Sequence, residues 1–86
     1  MKDVEIYTSM MCPFCSRAKS LLKKKGVHFK EIDVTVDLRS REEMRKRAGG
    51  AHTVPQIFIG GKHIGDCDYI HQLDAKGKLD KLLQIS

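Results

Sequence analysis

Two cysteines three apart, set where a strand runs into a helix, constrain this chain more than any other feature. They lie in MMCPFCSRAK, residues 10 to 19. Val4 to Thr8 alternates, with Val4, Ile6 and Thr8 on one side and Glu5 and Tyr7 on the other, the period of a strand. From Pro13 to Lys25 the period becomes helical. Phe14, Ala18, Leu21 and Leu22 share a face, Lys23 to Lys25 fill the last turn, and Gly26 supplies a stop. Proline at the first helical position sacrifices no hydrogen bond there. A pair held in this way can be a structural staple, half of a metal site or a redox centre.

The remaining pattern gives a frame for that junction. Val27 to Val34 reads as a second strand. Asp37 or Ser40 then caps a charged helix reaching about Ala48, with Ser40 and Glu43 as a capping box, and Gly49-Gly50 ends it. A third strand covers Val54 to Ile59, Gly60-Gly61 turns, and Lys62 to Ile64 returns as a short fourth strand. Helices over Asp68 to Ala75 and Lys78 to Gln84, parted at Gly77, place Ile70, Leu73, Leu79, Leu82 and Leu83 inward. The order is β-α-β-α-β-β-α-α. Right-handed crossover makes the first βαβ unit parallel and the last hairpin antiparallel, giving an α/β fold with a four-stranded mixed sheet and helices on both faces. At 86 residues the chain is expected to be one domain, 1–86.

Charge and composition remove several alternatives. Hydrophobic residues make up 41% and charged residues 31%, which suits a packed soluble core. No apolar run approaches the roughly 18 residues that span a membrane, and Met1-Lys2-Asp3-Val4-Glu5 is too charged to open a secretory signal, so a cytoplasmic protein without a membrane partner is expected. The net charge of +5 could serve nucleic acid. In the basic stretch Arg39 to Arg47, however, Glu42 and Glu43 precede Lys46 and Arg47 by four residues, the spacing of pairs on a solvated helix face, and few aromatics interleave. No nucleic-acid partner is expected. Three cysteines, an odd number, do not make a fully paired secreted scaffold.

Only a thiolate attacks a disulfide, and a cysteine at a helix N-terminus is more acidic than the usual thiol. Cys12 stands at such an end, facing unpaired N–H groups and the positive pole of the helix. Cys15, one turn further in, could resolve a mixed disulfide on Cys12. Zinc would need a second pair of ligands, and Cys67 and His71 stand four apart. Zinc knuckles place CxxC in tight Gly-rich turns, whereas a strand leads in here and an amphipathic helix leads out, so redox chemistry is favoured. Cys67 alone reads as a packed small residue or a contact at a helix start. Two further stretches matter. Thr53-Val54-Pro55-Gln56 is either an edge-strand start or a cis turn that would leave Val54 free to pair with an extended peptide. Gly65-Asp66-Cys67-Asp68 opens a helix whose free N–H groups suit a carboxylate, with Asp68 as its aspartate cap.

CPFC after the first strand, TVPQIFI before the hairpin and HIGDCD at the third helix, in that order, make the chain resemble the dithiol glutaredoxins over essentially its full length. The resemblance implies a thioredoxin-like fold and glutathione-dependent reduction of protein disulfides and glutathione mixed disulfides, a role in electron transport and cell redox homeostasis. It implies Cys12 as nucleophile and carrier of the glutathione mixed disulfide, with Cys15 as resolving thiol. Thr53 and Val54 would hold the tripeptide backbone beside a cis Pro55, Cys67 and Asp68 would receive its γ-glutamyl end, and Phe14 stands where relatives often carry tyrosine. Glutathione would be the reducing co-substrate, with no tightly bound cofactor and no metal. Disulfide-bonded or glutathionylated proteins, ribonucleotide reductase among them, would be the partners of a monomer.

Two departures carry expectations of their own. Many relatives have lysine three residues before the first cysteine, and Ser9 here predicts weaker glutathione binding or a less acidic Cys12. Asp66 adds a carboxylate and Tyr69 removes one from the family's usual run at the third helix. Two other functions compete: a carrier of a [2Fe–2S] cluster shared between subunits, disfavoured by Pro13, and a redoxin served by thioredoxin reductase, which Ser9 keeps open. His28, His52, His63 and His71 read as surface or boundary residues, and Lys19 as either an orienting or a solvated lysine.

Overall fold

In a computed structural model, residues 2–84 are described. They form β1 (Val4–Thr8), α1 (Pro13–Lys24), β2 (Phe29–Asp33), α2 (Leu38–Arg47), β3 (Gln56–Ile59), β4 (Lys62–Gly65), α3 (Cys67–Ala75) and α4 (Leu79–Leu83). The element order is the one the sequence predicts. The four strands make one sheet in the order β2-β1-β3-β4. β1 and β2 run parallel with Val4 opposite Phe29, β1 and β3 antiparallel with Ile6 opposite Ile57, and β3 and β4 form the antiparallel hairpin.

Because side chains alternate along a strand, β1 and β3 divide their residues between two cores. Val4 and Ile6 join Ile57 and Ile59 beneath Ala18, Leu21 and Leu22 of α1, Ile70 and Leu73 of α3, and Leu79 and Leu83 of α4. Tyr7 and Phe58 join Val34, Met44 and Ala48 on the opposite face, under α2. Lys25, just past α1, ties the first layer together through ion pairs with Asp74 at 2.6 Å and Asp80 at 2.9 Å. Gly65 allows α3 to start where it does. Its φ is +146°, and a Cβ there would come within 2.9 Å of the Tyr69 ring.

Several expected details shift. β2 is shorter than Val27 to Val34, because Val27 and Val34 are buried on either side of the paired stretch instead of inside it. β3 begins at Gln56, after the proline, with Thr53 and Val54 outside the ladder. Ser40 does not cap α2. Asp37 does, accepting from the backbone N–H groups of Arg39 and Ser40, while the Ser40 hydroxyl donates to the other Asp37 oxygen. Asp68 likewise is not the cap of α3, which starts at Cys67 and is capped two residues before Asp68 by Asp66, whose Oδ1 accepts from the Tyr69 N–H at 3.0 Å. Nor is Arg47 on a solvated face. Glu43 lies 4.0 Å away, but the shorter contact is the pair with Glu5 at 2.8 Å, across on the sheet.

Candidate active site

The end of β1 delivers the chain into α1 through Ser9 to Cys12. Thr8 accepts the Val34 N–H at its carbonyl, and the Met10 N–H donates to the Thr35 hydroxyl at 2.8 Å, so this loop is held against the one after β2. Met11 carries a φ of 54°, a left-handed conformation uncommon outside glycine. Cys12 follows as the N-cap of α1. Its Sγ accepts the Cys15 N–H at 3.1 Å, and the first turn holds no acidic residue to oppose charge on that sulfur.

Cys12 and Cys15 are joined as a disulfide, with Cα atoms 5.2 Å apart. The two sulfurs differ in access. Cys12 is half-buried at the helix tip, whereas Cys15 is 2% exposed inside the core. An attacking or attacked partner therefore reaches Cys12, and Cys15 is available from within. On reduction, the N–H that now points at Cys12 Sγ and the pole of α1 both favour its thiolate.

A groove of about 160 Å³ opens beside Cys12, lined by Phe14, Thr53, Val54, Pro55, Asp66, Cys67 and Asp68. All six substrate-site residues named from the sequence thus converge, from three separate stretches of chain. The Val54–Pro55 peptide is cis, the alternative that the resemblance implied. Cys12 Sγ lies 3.9 Å from the Val54 carbonyl oxygen, which places that sulfur at the head of the groove. Phe14 and Asp68 are exposed at its rim, and Cys67 is buried in its floor as a free thiol. Burial pushes the Cys67 thiol up, with Asp68 and Asp66 adding to the shift and Arg17 opposing it, so it is a poor nucleophile at neutral pH.

The site list drawn from the sequence omits Asp66, which is both groove wall and helix cap. Its position three residues before Tyr69, at a helix start, carries that signal. On the other side of Cys12 is a second cleft of about 560 Å³, whose walls include Ser9, Met11, Cys15, Lys19 and Glu31. There Lys19 Nζ and the Thr8 hydroxyl both reach Glu31 Oε2, at 3.0 and 2.8 Å. Those two donors, the hydroxyl first, hold the Glu31 carboxyl below its usual range. Lys19 is therefore paired and not simply solvated. A larger hollow, about 930 Å³ between Lys2, Glu5, Phe29 and Gly60, lies at the opposite end of β1 and contains no cysteine. Among the described residues no group of three or more His, Cys, Asp or Glu side chains is arranged to hold a metal ion, and no helix is long and apolar enough to cross a membrane.

Comparison with known proteins places this geometry. The family model described as Glutaredoxin matches residues 4–64. Glutaredoxin 3 of Escherichia coli (strain K12) is 55% identical over 84 residues, covering 98% of this chain and all of that relative. The solution structure of glutaredoxin from Brucella melitensis superposes with a TM-score of 0.84 at 52% identity, over 96% of this chain and 89% of that one. The crystal structure of a buckwheat glutaredoxin–glutathione complex does so at 0.86 and 30% identity, over 96% and 77%.

Proposed function

The chain belongs to the glutaredoxin family and is a glutathione-dependent thiol–disulfide oxidoreductase with a thioredoxin-like fold, and on that premise we propose how its residues divide the work. Cys12 is the nucleophile. The observation that carries this assignment is the asymmetry of the pair: Cys12 is accessible and receives the Cys15 N–H on its sulfur, while Cys15 is buried.

For a glutathionylated protein, the Cys12 thiolate attacks the glutathione sulfur. A Cys12–glutathione disulfide forms, the protein–glutathione bond breaks, and the departing protein thiolate takes a proton. A second glutathione thiolate then attacks the glutathione sulfur on Cys12, releasing glutathione disulfide and regenerating the Cys12 thiolate. For a protein disulfide, Cys12 forms the mixed disulfide with the protein and Cys15 displaces it, leaving the Cys12–Cys15 bond for glutathione to reduce. Each step exchanges one S–S bond for another, and each complete cycle moves two electrons from glutathione to the substrate.

The groove beside Cys12 is the glutathione site in this reading. Thr53 and Val54 carry the tripeptide backbone, Pro55 and Phe14 flank it, and the α3 start at Cys67 and Asp68 receives the γ-glutamyl end. Asp66 adds negative charge at that helix start and Ser9 supplies none of the positive charge of a lysine, so glutathione is held more weakly than where both positions follow the family pattern. We further infer a single domain over residues 1–86 that acts as a monomer in electron transport in the reducing cytoplasm, with ribonucleotide reductase among the protein substrates suggested by the family.

The deciding assay is reduction of a glutathione mixed disulfide with NADPH, glutathione reductase and glutathione. Cys12→Ser is expected to lose turnover and Cys15→Ser to retain it, while Cys15→Ser loses reduction of protein disulfides. A wild type without activity would overturn the glutathione site, and an active Cys12→Ser would overturn the assignment of roles.

A further inference from the structure

Residues 52–54, which carry one wall of the groove, have no partner in the sheet ladder. Among the described residues, this stretch is tied to the rest of the protein by the 3.9 Å contact of Cys12 Sγ with the Val54 carbonyl and by the hydrogen bonds of one buried side chain. Gln56 Nε2 donates to the Thr53 carbonyl at 3.0 Å and to the Thr53 hydroxyl at 3.4 Å. Gln56 is only 3% exposed, one of two polar residues buried this deeply among the described residues. Burying an amide is unfavourable unless both of its ends are bonded, and a valine or methionine would fill this strand position at no such cost. The other end is bonded too, since Gln56 Oε1 lies 2.7 Å from Nε2 of His63 on the neighbouring strand.

The orientation of this chain is fixed by a single fact. A backbone carbonyl only accepts, so the Gln56 atom facing the Thr53 oxygen must be the nitrogen. Its oxygen therefore faces His63, and His63 Nε2 must carry a hydrogen and donate it. The His63 ring is set in turn by Phe58, which lies opposite it in the hairpin with ring centroids 5.1 Å apart, and the Arg47 guanidinium stands 4.1 Å from the Phe58 ring centroid. A one-way relay of donors thus runs from the core to the groove wall.

We propose that Gln56, oriented by His63, is a positioning residue that fixes the Thr53–Val54 backbone for the glutathionyl moiety. This deepens the glutathione reading above and rests on it. Neither side chain lines the groove or touches Cys12, so the effect is on recognition of the glutathionyl group and not on the acidity of the nucleophile. Turning the Thr53 carbonyl inward commits the loop to one conformation before the ligand arrives, which reduces the ordering needed on binding.

The experiment compares wild type with Gln56→Met, His63→Phe and His63→Gln. It reads kcat/KM for a glutathione mixed disulfide, the pH profile of Cys12 alkylation by iodoacetamide, and the 15N signature of His63 in the wild type. Gln56→Met is expected to lower kcat/KM about tenfold, the effect of one lost hydrogen bond, with the alkylation profile unchanged. His63→Phe, which keeps a ring against Phe58, lowers kcat/KM by a smaller factor, and His63→Gln, which can donate to the same oxygen, recovers part of that loss. The wild-type spectrum shows Nε2 protonated. If Gln56→Met fails to fold, His63→Phe carries the comparison. Unchanged kcat/KM in a folded variant overturns the proposal, as does an unprotonated Nε2, or an alkylation profile that shifts in step with kcat/KM. Wild type inactive on the mixed disulfide while His63 shows the expected protonation would instead locate the failure in the glutathione reading.

Discussion

The two faces of the sheet are covered by opposite means. On the face of α1, α3 and α4, closure is by area: Ile6, Leu22, Ile57, Ile70, Leu79 and Leu83 are all fully buried against one another. On the other face α2 contributes a single buried side chain, Met44. What closes that face is Arg47. Its guanidinium pairs with Glu5 at 2.8 Å, donates to the Tyr7 hydroxyl at 2.9 Å and stands over Phe58, while Tyr7 donates to Glu43 at 3.1 Å. A ten-residue helix with little apolar surface can thus cover a sheet, provided one long cation lays its stem and its plane across the aromatic rings beneath. The Cys12–Cys15 pair rides on α1, the helix that is fixed by area.

Substitutions that remove each kind of cover give the sharpest test. Leu22→Ala on the apolar face should cost about 3 kcal/mol, the usual size for a fully buried leucine whose neighbours cannot collapse into the space. Arg47→Met should cost less, about 1.5 kcal/mol, since methionine keeps part of the stem contact while the partly exposed Glu5 and the buried Tyr7 lose their charged donor. Urea unfolding at neutral pH compares them directly, and equal losses would erase the distinction between the faces.

Acid separates them further. The Arg47 hydrogen bond, against some desolvation, holds the Glu5 carboxyl below its usual range. A carboxyl depressed in the folded state adds stability that is present above its unfolded pKa of about 4.3 and is lost as pH falls through the lower folded value. Arg47→Met should therefore flatten the acid limb of the stability curve, whereas Leu22→Ala should shift the whole curve down with its shape intact. A Leu22→Ala curve as flat as that of Arg47→Met would mean that the acid limb comes from elsewhere.

The apolar face was the more legible of the two in the sequence, for the same physical reason. Periods of two in Val4 to Thr8 and of three to four in Ala18, Leu21 and Leu22 announce burial directly, and they yield the element order and the sheet. The groove residues were legible because Phe14, Thr53, Val54, Pro55, Cys67 and Asp68 sit in short motifs at turns and helix starts. What escaped was whatever depends on polar contacts between distant residues. Arg47 and Glu5 are far apart in sequence, so the near neighbour Glu43 looked like the partner. The Gln56–His63 bond depends on the hairpin register, including a shift between Ile57 and Phe58 that no local pattern marks. The caps were not settled either: Asp37 and Ser40 stood as alternatives for α2, and Asp68 was read where Asp66 caps α3, because Asp and Ser at neighbouring positions offer nearly equivalent starts until the backbone selects one.

Those caps supply the smallest and most local test of the comparison. Asp37 and Asp66 each hold the first turn of a helix, one on each face, and loss of either carboxylate removes a partner from free N–H groups. The consequences should differ because the helices are anchored differently. α2 has a single buried side chain, Met44, beside the partly exposed Arg47 contacts, so in Asp37→Ala its amides should exchange faster than the fall in global stability accounts for, through opening of α2 alone. α3 is held by Cys67, Ile70 and Leu73, so in Asp66→Ala its interior amides should still exchange mainly through global unfolding. Ionised Asp37 is the better acceptor, and its carboxyl is held low first by the Ser40 contacts, so the wild-type protection of α2 should persist above the ordinary aspartate range and fade as pH falls through the depressed value. Native-state hydrogen exchange across that range reads both effects. Local opening of α3 in Asp66→Ala, matched to that of α2 in Asp37→Ala, would show that buried apolar side chains do not decide how firmly a helix is held on this sheet.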